Sequence, residues 1–293
     1  MNVLNAVTPG QQYTAGTACN LCRYDRVRVL SLRDREGQPL RTVMCTSCGL
    51  VRSDPLPEPA MLDRYYRERY RVDYKQHLVP SRRHILRAGR VAIDRIKGLP
   101  GLPSVAAGCR ALDIGAGGGE FAYLLGRATG MAVTGIEPNQ GYAEHARSAL
   151  GLDLLIAPIH EAAVLPDRSF DVVTIYHVLE HLRDPGAALE RIATWLVPGG
   201  LAVVEVPNVE ATCQSPLHMF HSAHLYNFNS AALERLGVQA GLQPVDCWFS
   251  PDRGNLRVTL RRPAADLPAM IDPAAGAMSA NAERVWAMRA AHT

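Results

Sequence analysis

The chain has 293 residues, 47% of them hydrophobic and 20% charged, with a formal net charge of +3. That length holds one substantial domain and a smaller one, and the near-neutral balance argues against a dedicated nucleic-acid binder. No apolar stretch reaches membrane-spanning length, and MNVLNAVTPGQQYTAG at the start has neither the basic opening nor the apolar run of a signal peptide, so a cytoplasmic protein is expected.

Residues 1–17 carry no periodic pattern and are expected to lack order. Residues 18–57 hold two tight cysteine pairs, Cys19-Asn-Leu-Cys22 and Cys45-Thr-Ser-Cys48. Thiolates spaced by two residues converge on one tetrahedral Zn²⁺, and four protein ligands leave no position for water. A structural zinc ribbon is therefore expected, with the ion supplying folding energy that so small a segment lacks. After a proline-rich hinge at 54–59, helical patterning over 60–74 and 81–97 marks a helical linker, residues 58–104.

From 105 to 262 strands alternate with helices. Strands are expected at 110–114, 132–136, 154–157, 170–176, 201–206, 244–249 and 255–260, and helices at 120–127, 140–150, 185–195 and 230–240. The runs ALDI, VVTIY and LAVVEV are continuously apolar, as parallel strands covered on both faces must be. The two last strands are close enough for an antiparallel edge hairpin. Residues 263–293 are alanine-rich and broken by prolines, and read as a tail with one helix near 281–291. The fold class is α/β: a doubly wound, mostly parallel seven-stranded sheet with a small N-terminal zinc ribbon.

The first of these strands runs into Gly115-Ala116-Gly117-Gly118-Gly119. Glycines let a backbone turn sharply and approach a ligand with no Cβ between them, at the strand end where α/β sheets bind ligands. A dinucleotide fingerprint needs its third glycine at position 120, which is Glu120. The second strand ends at Glu137-Pro138-Asn139, where an acid can accept both ribose hydroxyls.

The pattern Asp113-x-Gly115-x-Gly117-x-Gly119 resembles motif I of class I S-adenosylmethionine-dependent methyltransferases. LPDRSFDVVTIYHVLEHLRDP and LVPGGLAVVEVPN, at 165–185 and 196–208, are similar to the fourth and fifth strands of that family and their loops. The resemblance implies a Rossmann-like methyltransferase fold with S-adenosylmethionine as cofactor. It places Gly115, Ala116, Gly117 and Gly119 along the methionine and ribose, Asp113 at the loop or the amino group, and Glu137 on the ribose flanked by Pro138. It places Ile159 and His160 beside the adenine, and Tyr176 and His177 at the close of the site. A cysteine module ahead of such a core resembles the deoxysugar C-methyltransferases acting on nucleotide-linked sugars. In that family a Glu-His pair after the fifth strand is the base; here Ala223-His224 keeps the histidine alone, and a chain of this length leaves no room for the family's extra C-terminal domain.

The acceptor expected is a small molecule or glycan unit. A hydroxyl or acidic C–H must lose a proton, and an imidazole with a resting pKa of about 6.5 suits that task. His224 is the first candidate base and His221 the second. Tyr176 and Tyr226 are placed to orient the acceptor, and Arg67, Arg69 and Arg71 to hold a phosphate. His218, His221 and His224, spaced by three, are also able to gather a metal, and His177-Val-Leu-Glu180-His181 matches a zinc-protease string. Other readings are an RNA or protein methyltransferase docking through the ribbon, a non-catalytic cofactor-binding protein, and a nicotinamide-dependent oxidoreductase, against which Glu120 counts.

Overall fold

The computed structural model describes residues 12–69, 79–99, 108–213 and 218–264, with positions 283, 285 and 287 beyond them. Arg71, most of the expected C-terminal helix and the first eleven residues lie outside these. The three described tail positions are helical, and Val285 packs against Met44, Val51, Val209 and Phe220.

The main sheet is built of β5 (Arg110–Ile114), β6 (Ala132–Ile136), β7 (Asp153–Leu155), β8 (Phe170–Tyr176), β9 (Leu196–Pro207), β11 (Gln243–Phe249) and β12 (Asn255–Arg261). Its order is β11-β12-β9-β8-β5-β6-β7. The five strands from β7 to β9 run parallel, and β11 and β12 close one edge antiparallel. The chain winds outward through β6 and β7, then crosses back to β8 on the other side of β5. Strand order therefore reverses between β5 and β8, and a crevice opens beyond their carboxyl ends. Strand β9 begins five residues earlier than the apolar run alone marks, because Leu196 already pairs with Phe170 before a register shift.

Four helices flank this sheet: α3 (Glu120–Thr129), α4 (Gln140–Leu150), α5 (Pro185–Trp195) and α6 (Ser230–Gln239). Asn139, Asp184 and Asn229 each start a helix by accepting the backbone N–H of its third residue, at 3.0–3.1 Å. Ahead of the sheet, α1 (Pro59–Arg64) passes into a π-turn through Arg69, and α2 (Arg82–Lys97) is capped by Ser81.

The N-terminal sheet is antiparallel, in the order β1 (Gln12–Thr14), β2 (Arg26–Arg33), β3 (Pro39–Cys45), β4 (Val51–Ser53) and β10 (Tyr226–Asn227). Strand β1 lies inside the stretch expected to lack order. The fifth strand comes from the far end of the chain: Tyr226 pairs with Arg52 and Asn227 with Val51. Cys19, Leu21, Cys45, Cys48 and Leu50 share one apolar core with Leu225, Tyr226, Phe228, Leu233 and Leu236. The cysteine segment is thus built into the body of the protein, where the sequence alone marks it as a separate ribbon.

Candidate active site

The crevice holds a cavity of about 840 Å³. Asp113, Gly115, Ala116, Gly117, Glu137, Pro138, Ile159, His160, Tyr176 and His177 all line it. Gly119 does not. It starts α3 at φ 84°, and a Cβ there would lie 2.5 Å from Leu152 and 2.9 Å from Ala146, so its smallness serves the packing of α4 beneath the bend.

The bend itself is held from the neighbouring strand. Gly115 and Ala116 both donate to the carbonyl of Ile136. The Gly117 N–H donates to Glu137 Oε2 at 2.9 Å, while Oε1 accepts from Asn139 N at 3.0 Å. Gly115 adopts φ 74°, and a Cβ there would sit 2.3 Å from Val178. The loop after β8 therefore presses directly on the glycine bend.

Asp113 is buried and accepts from Thr174 Oγ1 at 2.7 Å. Burial raises its pKa to about 7, against the lowering effect of Thr174 and Arg95. Glu120, buried in the first turn of α3, adds a second acid to the same wall. The Tyr176 hydroxyl is buried without a hydrogen-bond partner, and its ring lies between Phe121, edge-on at 5.0 Å, and the Arg95 guanidinium at 4.1 Å. An orphaned hydroxyl, two buried acids and a bend free of side chains fit a cationic nucleoside cofactor with an ammonium group.

Of the roof, sequence reasoning named Arg67 alone. Asp63, Tyr66 and Arg67 from the first linker helix and its π-turn, and His84, Arg87 and Arg95 from α2, face the same cavity. Arg67 is committed to Glu161 at 2.6 Å, and His160 lies 3.5 Å from Asp63, so the linker is tied to the turn after β7. Arg95 donates twice to Glu205 Oε1, and Arg257 twice to Oε2.

The histidines divide between two places, the turn after β8 and the segment before β10. His177 ends β8 with φ 55°, and a short 3₁₀ turn, Leu179–His181, follows in place of the helix that a zinc-protease string requires. His177 reaches Glu180 at 3.5 Å and Glu205 at 3.4 Å. Burial opposes its charge, but the two carboxylates outweigh it and raise its pKa to about 9. His181 lines the cavity; His224 lies behind it, ring centroids 5.0 Å apart, with its Nε2 3.9 Å from Glu180 Oε1. His218, His221 and His224 face a second, polar pocket of about 180 Å³ beside Arg35. Burial holds the His224 pKa well below the usual histidine value and, with Arg35, takes His221 to about 4, so both are neutral at physiological pH. Tyr226 points away from the acceptor side, its hydroxyl 2.5 Å from Asn20 and 3.0 Å from the Arg183 carbonyl.

The four cysteine sulfurs lie within 4.8 Å of one another, with Cys19–Cys48 at 3.6 Å and Cys22–Cys45 at 3.5 Å. A tetrahedron with metal–sulfur bonds of about 2.3 Å has edges of about 3.8 Å, so the donor set fits Zn²⁺.

A strand, a glycine bend and an acid at the next strand's end, on a sheet with this order, define a nucleoside-binding α/β enzyme. Residues 64–246 match a family described as "Methyltransferase domain", and the chain belongs to that family. It carries a class I S-adenosylmethionine-dependent methyltransferase domain. The ubiquinone biosynthesis O-methyltransferase of Bradyrhizobium diazoefficiens is 37% identical over 106 residues, 34% of this chain and 41% of that protein. Its namesake from a Caulobacter species is 36% identical over 107 residues, 34% of this chain and 42% of that protein. The matches thus span about two fifths of these relatives' length. In structure, the chain resembles the Burkholderia thailandensis 1,6-didemethyltoxoflavin-N1-methyltransferase with bound 1,6-didemethyltoxoflavin and S-adenosylhomocysteine. The TM-score is 0.55 at 21% identity, covering 73% of this chain and 96% of that one. The methyltransferase in the Haloferax volcanii complex with the Trm112 activator gives 0.50 at 19% identity, covering 59% and 88%. At these identities the likeness is one of fold. No helix among the described residues is long and apolar enough to cross a membrane.

Proposed function

We propose that this chain transfers the methyl group of S-adenosylmethionine to a small-molecule or glycan acceptor bound in the same cavity as the cofactor, with histidine assistance. One observation carries the reading: the Gly117–Glu137 cradle and His181, behind which Glu180 is buried, open onto a single cavity.

The cofactor supplies an already activated methyl group, so transfer needs alignment first. Glu137 holds the ribose, with Pro138 beside it, and Ile159 and His160 border the adenine. Asp113 and Glu120 receive the ammonium group. Tyr176 shapes the acceptor side through its ring, which lines the cavity. The acceptor's proton leaves toward the Glu180–His181–His224 cluster. His181 Nδ1 is 2.7 Å from the Ala223 carbonyl, which fixes the proton on that nitrogen and turns the lone pair of Nε2 inward. His224, held neutral by burial, lies 3.9 Å from Glu180, a carboxylate from another loop in place of the adjacent glutamate of the sugar enzymes' pattern. That arrangement supports a nucleotide-linked sugar as one member of the acceptor class.

Cys19, Cys22, Cys45 and Cys48 hold a structural Zn²⁺ in this reading, and thiolates kept as ligands call for a reducing compartment such as the cytoplasm. Calorimetric titration with S-adenosylmethionine and with NADH, followed by a screen of metabolite fractions with isotopically labelled methyl donor, tests the proposal. Binding of NADH alone, or cofactor binding with no labelled product in any fraction, counts against it. His224→Ala is expected to lower turnover by about 10²–10⁴-fold with cofactor affinity unchanged.

A further inference from the structure

The Glu180 carboxylate is 1% exposed, and neither of its oxygens has a hydrogen-bond partner. A buried carboxylate without donors is costly. Its near neighbours are imidazoles: His177 Nδ1 at 3.5 Å, His181 Nε2 at 3.9 Å and His224 Nε2 at 3.9 Å, all measured to Oε1. His177 is shared with Glu205, which two arginines already satisfy.

The orientation of His181 sharpens the problem. Its Nδ1 is engaged by the Ala223 carbonyl at 2.7 Å, so Nδ1 carries the hydrogen and Nε2 presents a lone pair. That lone pair faces a carboxylate oxygen that also offers only lone pairs. While the ring is neutral, two acceptors face one another across 3.9 Å with no hydrogen between them. A cation between them resolves this, and an imidazole whose far nitrogen donates to a carbonyl is the usual form of a metal-binding histidine.

We infer that Glu180, His181 and His224 form a site for a divalent first-row transition ion at the acceptor end of the cavity. The Glu180, His181 and His224 ligand atoms lie within 4.8 Å of one another. An ion with bonds of about 2.1 Å spaces neighbouring ligands by roughly 3.0–3.4 Å, so a small inward turn of the rings closes the cluster. Two nitrogens and one carboxylate oxygen suit Mn²⁺, Fe²⁺ or Zn²⁺, and leave coordination positions open. His181 lies on the cavity wall, so those positions face the space assigned to the acceptor. Glu180 and His181 sit in the turn after β8, and His224 in the segment before β10, joined by the hydrogen bond from Leu225 N to the Glu180 carbonyl.

The inference deepens the reading above and rests on it. When the ion is bound, the imidazoles are ligands, and an acceptor hydroxyl coordinated to it is acidified and releases its proton to water at the cavity mouth. When the ion is absent, the imidazoles receive that proton themselves.

The test uses the full chain loaded with zinc at its cysteines. Mn²⁺ is titrated in and the free hexaaquo ion followed by electron paramagnetic resonance, because thiolates select softer metals and leave this probe to nitrogen and oxygen donors. One Mn²⁺ per chain is expected to bind. His181→Ala and His224→Ala are expected to weaken that binding by at least ~10-fold and Glu180→Gln by more, with S-adenosylmethionine affinity retained as proof of folding. If Glu180→Gln fails to fold, the two histidine variants decide. No Mn²⁺ bound at millimolar concentration, or binding unchanged in the variants, overturns the site. Cofactor binding and methyl transfer intact in such a protein leave the methyltransferase reading standing, whereas loss of cofactor binding in the wild type overturns that reading instead.

Discussion

Glu137 and Gly117 are joined across the floor of the cavity: the carboxylate at the end of β6 accepts the N–H of the glycine bend at 2.9 Å. The same side chain accepts from Asn139, the cap of α4, at 3.0 Å. One acid thus fixes the bend and the start of a helix, and it lines the cavity. A charged hydrogen bond contributes about 1.5–3 kcal/mol. Glu137→Ala is therefore expected to raise the dissociation constant for S-adenosylmethionine by roughly 10–100-fold. Calorimetry measures this directly, and a change under twofold would remove Glu137 from the binding site.

Gly115 and Gly151 make a matched pair. Both have positive φ, 74° and 66°, but a Cβ at Gly115 would meet Val178 at 2.3 Å, whereas none lies within 4 Å at Gly151. Gly151→Ala is expected to cost about 1–2 kcal/mol from backbone strain alone. Gly115→Ala adds roughly 1–3 kcal/mol of overpacking and displaces the His177–His181 loop. Thermal melts of the two variants, with cofactor affinity alongside, separate the contributions. Equal melting temperatures would show that Val178 yields freely.

The cofactor half of the site was legible because its chemistry is written in local sequence. A buried apolar strand, a run of glycines and an acid at the next strand's end are short-range signals, and β5, β6, β8, α4 and α5 lie where periodicity and capping residues place them. The acceptor half was not legible in this way. Glu180 meets His224 across 44 positions of sequence, and Arg95 meets Glu205 across 110; pairs that distant are joined by topology, which no spacing rule reports. The strand β10, two residues long, carries no pattern of its own, so the union of the cysteine segment with the methyltransferase body went unseen.

That union has a measurable consequence. Gln239 in α6 donates to the Leu21 carbonyl at 2.8 Å, the Tyr226 hydroxyl meets Asn20, and Ser53 donates to the Leu225 carbonyl at 2.8 Å. Residues between the first two cysteines are therefore anchored on α6 and on β10, the strand that follows His224. If the proposed zinc supplies folding energy to the knuckle, chelation is expected to lower the melting temperature of the whole chain in a single transition. A separate early transition, with the main one unmoved, would mark the segment as an independent module. Cys48→Ser is expected to reproduce the effect of the chelator.

If Asp113 receives the cofactor's ammonium as proposed, cofactor binding depends on pH. Burial raises its pKa from 3.8 to about 7 in the folded protein. Between those values the native chain holds a proton that the unfolded chain has released, so this group's contribution makes the fold less stable as pH rises through the window, by at most about 1.4 kcal/mol per pH unit. Above pH 7 the carboxylate is ionised in both states and the slope ends. A cationic ammonium beside Asp113 favours the ionised form, so binding below pH 7 must expel the proton. Affinity for S-adenosylmethionine is expected to rise with pH from about 5 to 7, by up to about tenfold per unit, and to level off above. Calorimetry at pH 6 in two buffers of different ionisation enthalpy counts the released proton. Asp113→Asn, which has no proton to expel, is expected to flatten the profile. A wild-type profile already flat across this range would place the ammonium away from Asp113 and leave Glu120 as its partner.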